Sequence, residues 1–220
     1  MSIEIVLDHN DFVIANKPHG ISFHSESEAG FVVQVEVQMG IKLYPVHRLD
    51  KVTSGLIVLA KSALHAAQLT ELFSRRCVDK FYLAIIDAKP KKKQGWIKGD
   101  MAKSRRGAFK LLSTMNNPAI TRFYTVSFTQ GKRGVLLKPY SGKTHQLRVA
   151  LKSLSAPILG DALYGGSKAD RTYLHAYALA FDWHGQRIWC QKAPSDGVWY
   201  AELINHEAFV TWQAPQNLEW

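Results

Sequence analysis

Residues 56–60, Leu-Ile-Val-Leu-Ala, form an unbroken apolar run with a β-branched centre, the pattern of a strand buried on both faces. A polar turn precedes it, with Thr53, Ser54 and Gly55, residues that bond back to the backbone or accept unusual dihedrals. Arg48 and Asp50 therefore sit at the mouth of a rigid core strand, a position suited to holding a functional group still. Taken alone, an Arg-x-Asp pair before a strand reads as a surface ion pair.

At 220 residues the chain can bury a sizeable core, and a single domain over residues 1–220 is expected. Its hydrophobic share of 46% and charged share of 21% are those of an ordinary globular protein. No apolar run reaches the roughly 18 residues of a membrane span. The N-terminus carries an acid early and lacks the basic start of a signal peptide, so no membrane and a cytoplasmic location are expected. Cys77 and Cys190 are too few for a disulfide framework and lack metal-ligand spacing, so no metal is expected. The net charge is +10, which favours a polyanionic partner. The excess is concentrated: residues 89–110 hold nine Lys or Arg against one Asp.

Short strands are expected at 3–7 and 12–15, at 80–86, at 121–128 and 135–138, and from 173 to 190 with a turn at His184-Gly185. Residues 62–74 read as a helix capped by Ser62, with Leu64, Leu69, Leu72 and Phe73 as its buried stripe. Residues 31–39 alternate Val33, Val35 and Val37 with Gln34, Glu36 and Gln38, which argues for a strand. The basic stretch reads as a hairpin or loop with turns at Gly95, Gly99 and Gly107. Ser195 is a candidate cap for a closing helix that carries Trp199, Leu203 and Ile204 inward, followed by a tail packed by Phe209 and Trp212. Gly142-Lys143-Thr144 hints at a phosphate-binding loop, but that motif needs a glycine where Leu137 stands, so no nucleotide cofactor is expected. A conventional glycosidase needs two carboxylates flanking the bond, and Asp161, in what reads as a structural turn, is the one other motif carboxylate.

The string His47-Arg48-Leu49-Asp50, followed by Thr53-Ser54-Gly55-Leu56, the apolar run and Lys61, closely resembles the central motif of the RluA family of RNA pseudouridine synthases. Asn16-Lys17-Pro18 with Gly20 is similar to the family's first motif, and Lys80-Phe81-Tyr82-Leu83-Ala84 to another. Gly142-Lys143-Thr144-His145-Gln146-Leu147-Arg148 resembles a third, with Lys143 where the family commonly has Arg. The segment 157–165 and Leu174-His175-Ala176 also match, so the likeness spans about residues 12–193.

The resemblance implies an α+β pseudouridine synthase fold, a mixed and mostly antiparallel sheet flanked by helices and loops. It favours a helix over 31–39, against the alternation. It implies isomerisation of uridine to pseudouridine in ribosomal or transfer RNA, without a cofactor, by a stand-alone monomeric catalytic domain. Asp50 matches the family's nucleophile, Tyr82 the tyrosine against the base, and Arg148 the cation facing the aspartate. Arg48 matches the residue that fills the vacated stack and Leu147 the apolar contact to the base; His47, Lys143 and Lys17 are the remaining expected substrate contacts. Lysine at 143 keeps the charge but loses the planar fork of arginine. His175 is expected to be a bonded structural histidine. The alternative is an RNA-binding or ribosome-assembly protein with an inactive site.

Overall fold

The computed structural model of the protein describes residues 2–24 and 29–220. In chain order its elements begin with β1 (Glu4–Asp8), β2 (Phe12–Lys17), α1 (Phe31–Met39), β3 (Tyr44–Pro45), β4 (Ser54–Ala60) and α2 (Ala63–Ser74). Then come β5 (Asp79–Ile86), β6 (Gln94–Gly99), β7 (Met101–Lys103), β8 (Phe109–Leu111), β9 (Ala119–Thr129), β10 (Lys132–Pro139) and α3 (Gln146–Ser153). β11 (Leu174–Trp183), β12 (Gln186–Gln191) and α4 (Val198–Asn205) follow, and short 3-10 turns at Glu207–Trp212 and Pro215–Asn217 close the chain. The fold is α+β: β1 with β2, β2 and β3 with β4, β5 and β9 with β10, β6 with β9, β7 with β8 and β11 with β12 pair antiparallel, and β4 runs parallel to β11. The chain divides into two compact units, Met1–Lys80 with His175–Ala193, and Phe81–Leu174 with Pro194–Trp220.

In the first unit β4 is the central strand. All seven of its residues are buried, as an apolar run without alternation requires. β2 and β3 pair with it antiparallel, and β11 pairs parallel through His175 opposite Ser54 and Ala176 opposite Gly55. Gly55 is obligatory there: its φ is +112°, and a Cβ would lie 2.3 Å from the Ala176 carbonyl oxygen. Phe12, Ile14, Leu56, Val58, Phe181 and Trp183 build the core of this unit.

Helix α2 starts as expected, with the Ser62 hydroxyl accepting from the His65 amide at 3.1 Å. Leu69 is buried, and Leu72 and Phe73 pack beside it, but Leu64 is 67% exposed. Five residues of helix turn about 500°, which puts Leu64 about 140° away from Leu69. Residues 31–39 form a helix, not the strand their alternation suggests. Phe31 and Val35, four apart, form the buried stripe of the helix, while Val33 and Val37 face outward. Gly40 ends the helix in the left-handed region and donates to the Glu36 carbonyl.

The second unit is an antiparallel sheet in the order β5-β10-β9-β6, with the ribbon β7-β8 apart from it. The basic stretch is thus a strand and a short hairpin. Gly107 is in its turn, whereas Gly95 lies inside β6 with φ +126°. The closing helix is capped by Gly197 rather than Ser195. Gly197 takes φ +99°, and a Cβ there would come within 3.0 Å of Arg171 and Tyr173 side chains. The anchor of α4 is Tyr200, fully buried, whose hydroxyl donates to the Leu83 carbonyl at 3.1 Å. Phe209 and Trp212 are buried, as the sequence suggests.

Candidate active site

In the first unit Asp50 lies on the loop between β3 and β4, half-buried, with Arg48 exposed two residues earlier. The loop is tied at several points. The Thr53 amide donates to the Asp50 carbonyl at 3.0 Å, and the Gly20 amide to the Lys51 carbonyl at 2.9 Å. Lys17, at the end of β2, has no exposed surface. Its ammonium donates to the carbonyls of Pro18 (2.9 Å), Lys51 (3.2 Å) and Thr53 (2.9 Å). A buried ammonium is tolerated when such oxygens replace its water, and here two of them, at Lys51 and Thr53, directly follow Asp50 in sequence. Lys17 is therefore a brace of the Asp50 loop.

His47 is also turned inward. Its Nε2 accepts the Val58 amide at 2.9 Å, and its ring stacks on Phe73 at 4.3 Å. Desolvation, with a smaller contribution from the Lys80 cation, lowers its pKa to about 3. Both facts make it a neutral imidazole near pH 7, a positioning group for the start of the loop. His175 is the bonded structural histidine anticipated from sequence: its Nδ1 is 2.8 Å from the Ser54 hydroxyl and its Nε2 2.9 Å from the Lys192 carbonyl. The carbonyl can only accept, so Nε2 carries the proton and Nδ1 accepts from Ser54. That bond fixes the first residue of β4.

In the second unit Tyr82 lies half-buried on β5, opposite Leu137 of β10. Lys143, Leu147 and Arg148 are carried by the loop and helix that follow β10. The organiser of this segment is Gln146, which sequence reading did not single out. Its Oε1 accepts from the Ser141 hydroxyl (2.8 Å) and the Lys143 amide (3.0 Å). Its Nε2 donates to the Ile120 carbonyl and the Thr121 hydroxyl, both at 3.0 Å. A buried amide so fully used fixes the loop against β9. His145 enters the helix at φ +58°. Its Nδ1 is 2.9 Å from the Tyr164 hydroxyl, which accepts the Phe109 amide at 3.0 Å.

Leu147 is buried. The guanidinium of Arg148 meets Asp161 in a two-point contact, Nε to Oδ2 at 2.7 Å and a terminal nitrogen to Oδ1 at 2.8 Å. Both side chains are buried, and the guanidinium also lies 4.9 Å from the centre of the Tyr164 ring. Asp161 is thus more than a turn residue: it orients Arg148. Thirteen residues separate the two, so no local pattern announces the pair. Among the described residues there is no cluster of three or more His, Cys, Asp or Glu suited to a metal. Among the described residues no helix is long and apolar enough to cross a membrane.

Residues 11–153 match the family model described as RNA pseudouridylate synthase. The chain is 54% identical over 201 residues to an uncharacterized RNA pseudouridine synthase of Haemophilus influenzae, covering 90% of each chain. It is 34% identical over 189 residues to the ribosomal large subunit pseudouridine synthase C of Rickettsia bellii, covering 80% of this chain and 63% of that protein's length. In structure it is similar to human RNA pseudouridylate synthase domain containing 4, with a TM-score of 0.73, 25% identity and 91% of each chain covered. The chain belongs to the RNA pseudouridine synthase family, within the RluA-type branch. Its activity is accordingly that of an isomerase acting on uridine in RNA.

Proposed function

We propose that the protein converts specific uridines of structured ribosomal or transfer RNA to pseudouridine, with Asp50 as nucleophile. The observation that carries this reading is the construction around Asp50: a half-buried carboxylate on a loop whose next carbonyls, at Lys51 and Thr53, are held by a fully buried ammonium. A buried ammonium held by three carbonyls fixes the backbone of the loop, which a nucleophile requires and a surface ion pair does not.

The reaction detaches uracil from the sugar, turns it and rejoins it through carbon 5. It is redox-neutral, so it needs no cofactor. The base must leave its stack, at a cost of a few kcal/mol, less in an RNA loop. Asp50 must be ionised to attack. The family likeness gives Arg148 the role of its counter-charge, and the contact with Asp161 presents that guanidinium in one orientation. Tyr82 and Leu147 take the faces of the base, and Arg48, exposed and planar, takes its place in the stack. Lys143 contacts phosphate as a point charge. Lys17 and His47 serve by bracing the loop rather than by touching RNA. We further propose that both units work as one monomeric catalytic domain in the cytoplasm.

The test is Asp50→Asn, assayed separately for RNA affinity and for pseudouridine formation in total RNA. Turnover is expected to vanish with affinity retained. Near-normal turnover by the variant refutes Asp50 as nucleophile. A wild type that binds RNA but forms no pseudouridine supports the inactive RNA-binding alternative. Comparing pseudouridine maps with and without the gene names the substrate.

A further inference from the structure

The sheet of the second unit has two faces with different chemistry. Side chains alternate along a strand, so neighbours in β10 point to opposite faces. Leu137 stands opposite Tyr82 on one side and Phe123 on the other, and these share a face. Lys138 is on the reverse face, in a row with Arg122 of β9 and Trp96 of β6.

That reverse face is built from cations laid over rings. Lys98 sits 4.6 Å from the centre of the Trp96 ring, and Arg122 lies 5.3 Å from Trp96 and 5.7 Å from Tyr124. Lys138 lies 5.4 Å from Tyr140 and 5.8 Å from Trp220. The Trp96 and Tyr140 rings are 5.1 Å apart. Trp96 is 39% exposed on the edge strand, a large aromatic left open to water. Arg122 bonds the Tyr124 hydroxyl at 3.2 Å, while its Nε is buried and, among the described residues, has no hydrogen-bond partner. Lys91, Lys92 and Lys93, all exposed, lead directly into β6.

We propose that this face, carrying Trp96, Lys98, Arg122, Lys138 and Tyr140, docks an unpaired segment of RNA. The proposal rests on the reading of RNA as substrate and adds where a single strand is held outside the uridine slot. Cations over rings leave a positive surface that attracts phosphate, and the open indole offers a plane on which a base stacks. A duplex buries its base faces, so the stacking element selects single strands. The two contributions together match one partner chemistry, a polyanion with exposed aromatic bases.

The experiment measures binding of a fluorescent single-stranded oligouridylate and of a mixed-sequence RNA duplex to the full chain across a salt series. Trp96→Ala is expected to weaken the single strand by about tenfold, with the duplex unchanged. Trp96→Phe retains a stacking ring, controls for folding and is expected to restore most of the affinity. Lys98→Gln is expected to reduce the magnitude of the salt slope for the single strand by about 0.7. Unchanged affinity of Trp96→Ala for the single strand, or an equal loss on the duplex, overturns the proposal. Pseudouridine formation by the wild type in total RNA is scored in parallel. Turnover without a Trp96 effect removes the docking face and keeps the enzymatic reading; a Trp96 effect without turnover does the reverse.

Discussion

Asp161→Asn tests how far the site depends on the contact between Arg148 and Asp161. The substitution keeps the shape of the side chain but removes its charge, and puts an amide NH2 where one carboxylate oxygen accepted. The side chains are 6% and 1% exposed, so water cannot replace the lost partner of the guanidinium. Breaking a buried pair by removing one partner costs about 3–5 kcal/mol, because the other charge stays buried and uncompensated. The lower end applies here, since Asn keeps one acceptor for the 2.7 Å or the 2.8 Å bond but not both. About 3 kcal/mol corresponds to a fall in Tm of roughly 6–12 °C for a chain of this size. The assay is thermal and urea unfolding of Asp161→Asn, Arg148→Met and the double variant Arg148→Met/Asp161→Leu. The double variant is expected to be more stable than Asp161→Asn, since an apolar pair leaves no buried charge. In the pseudouridine assay Asp161→Asn is expected to lose kcat more than affinity. An Asp161→Asn variant as stable as the wild type would falsify the argument that Asp161 is what holds the buried guanidinium.

Lys17→Met removes the donor to three carbonyls; a loss of about 3 kcal/mol in urea unfolding is expected, and a loss under about 1 kcal/mol contradicts the brace. His47 has a folded pKa of about 3 against an ordinary 6.5, so the unfolded chain binds the extra proton between those values. Its contribution is complete above pH 6.5 and declines as pH falls towards 3, with about 2 kcal/mol gone by pH 5. A His47→Gln variant should show a flatter acid limb in stability against pH, and an identical limb rejects the assignment. Gly55→Ala, with its Cβ 2.3 Å from the Ala176 oxygen, is expected to cost about 3 kcal/mol or more in urea unfolding, while Gly142→Ala, with open space around it, leaves stability unchanged. Equal effects at the two glycines would undo the steric account of the β4–β11 approach.

What the sequence made legible is what local pattern controls. β4 was readable because seven consecutive buried residues leave no polar alternation to confuse. The α2 cap was readable because Ser62 bonds three residues ahead. Helix α1 was ambiguous for a definite reason: Val33, Val35 and Val37 would share one face of a strand, whereas on the helix only Val35 joins Phe31, four residues earlier, on the buried stripe. Gly197 was missed as a cap because the demand for glycine comes from Arg171 and Tyr173, distant in sequence.

The same division runs through the candidate site. Residue types that could do chemistry were visible from motif and charge, because a carboxylate, a tyrosine and an arginine are recognisable in a string. The groups that immobilise them were not, because their work is done over long separations. Lys17 reaches carbonyls 34 and 36 residues on, and Gln146 reaches back 25 and 26 residues to β9. A lysine in a motif suggests a phosphate contact, since most lysines are exposed. Only its burial and its three carbonyl partners convert it into a brace. Charge signals which residues can meet RNA; burial decides which of them are free to do so. By that criterion Arg48, Lys98 and the run at Lys91, Lys92 and Lys93 are exposed cations, which the proposed function assigns to phosphate or base contact, whereas Lys17 and Arg148 are buried inside the fold.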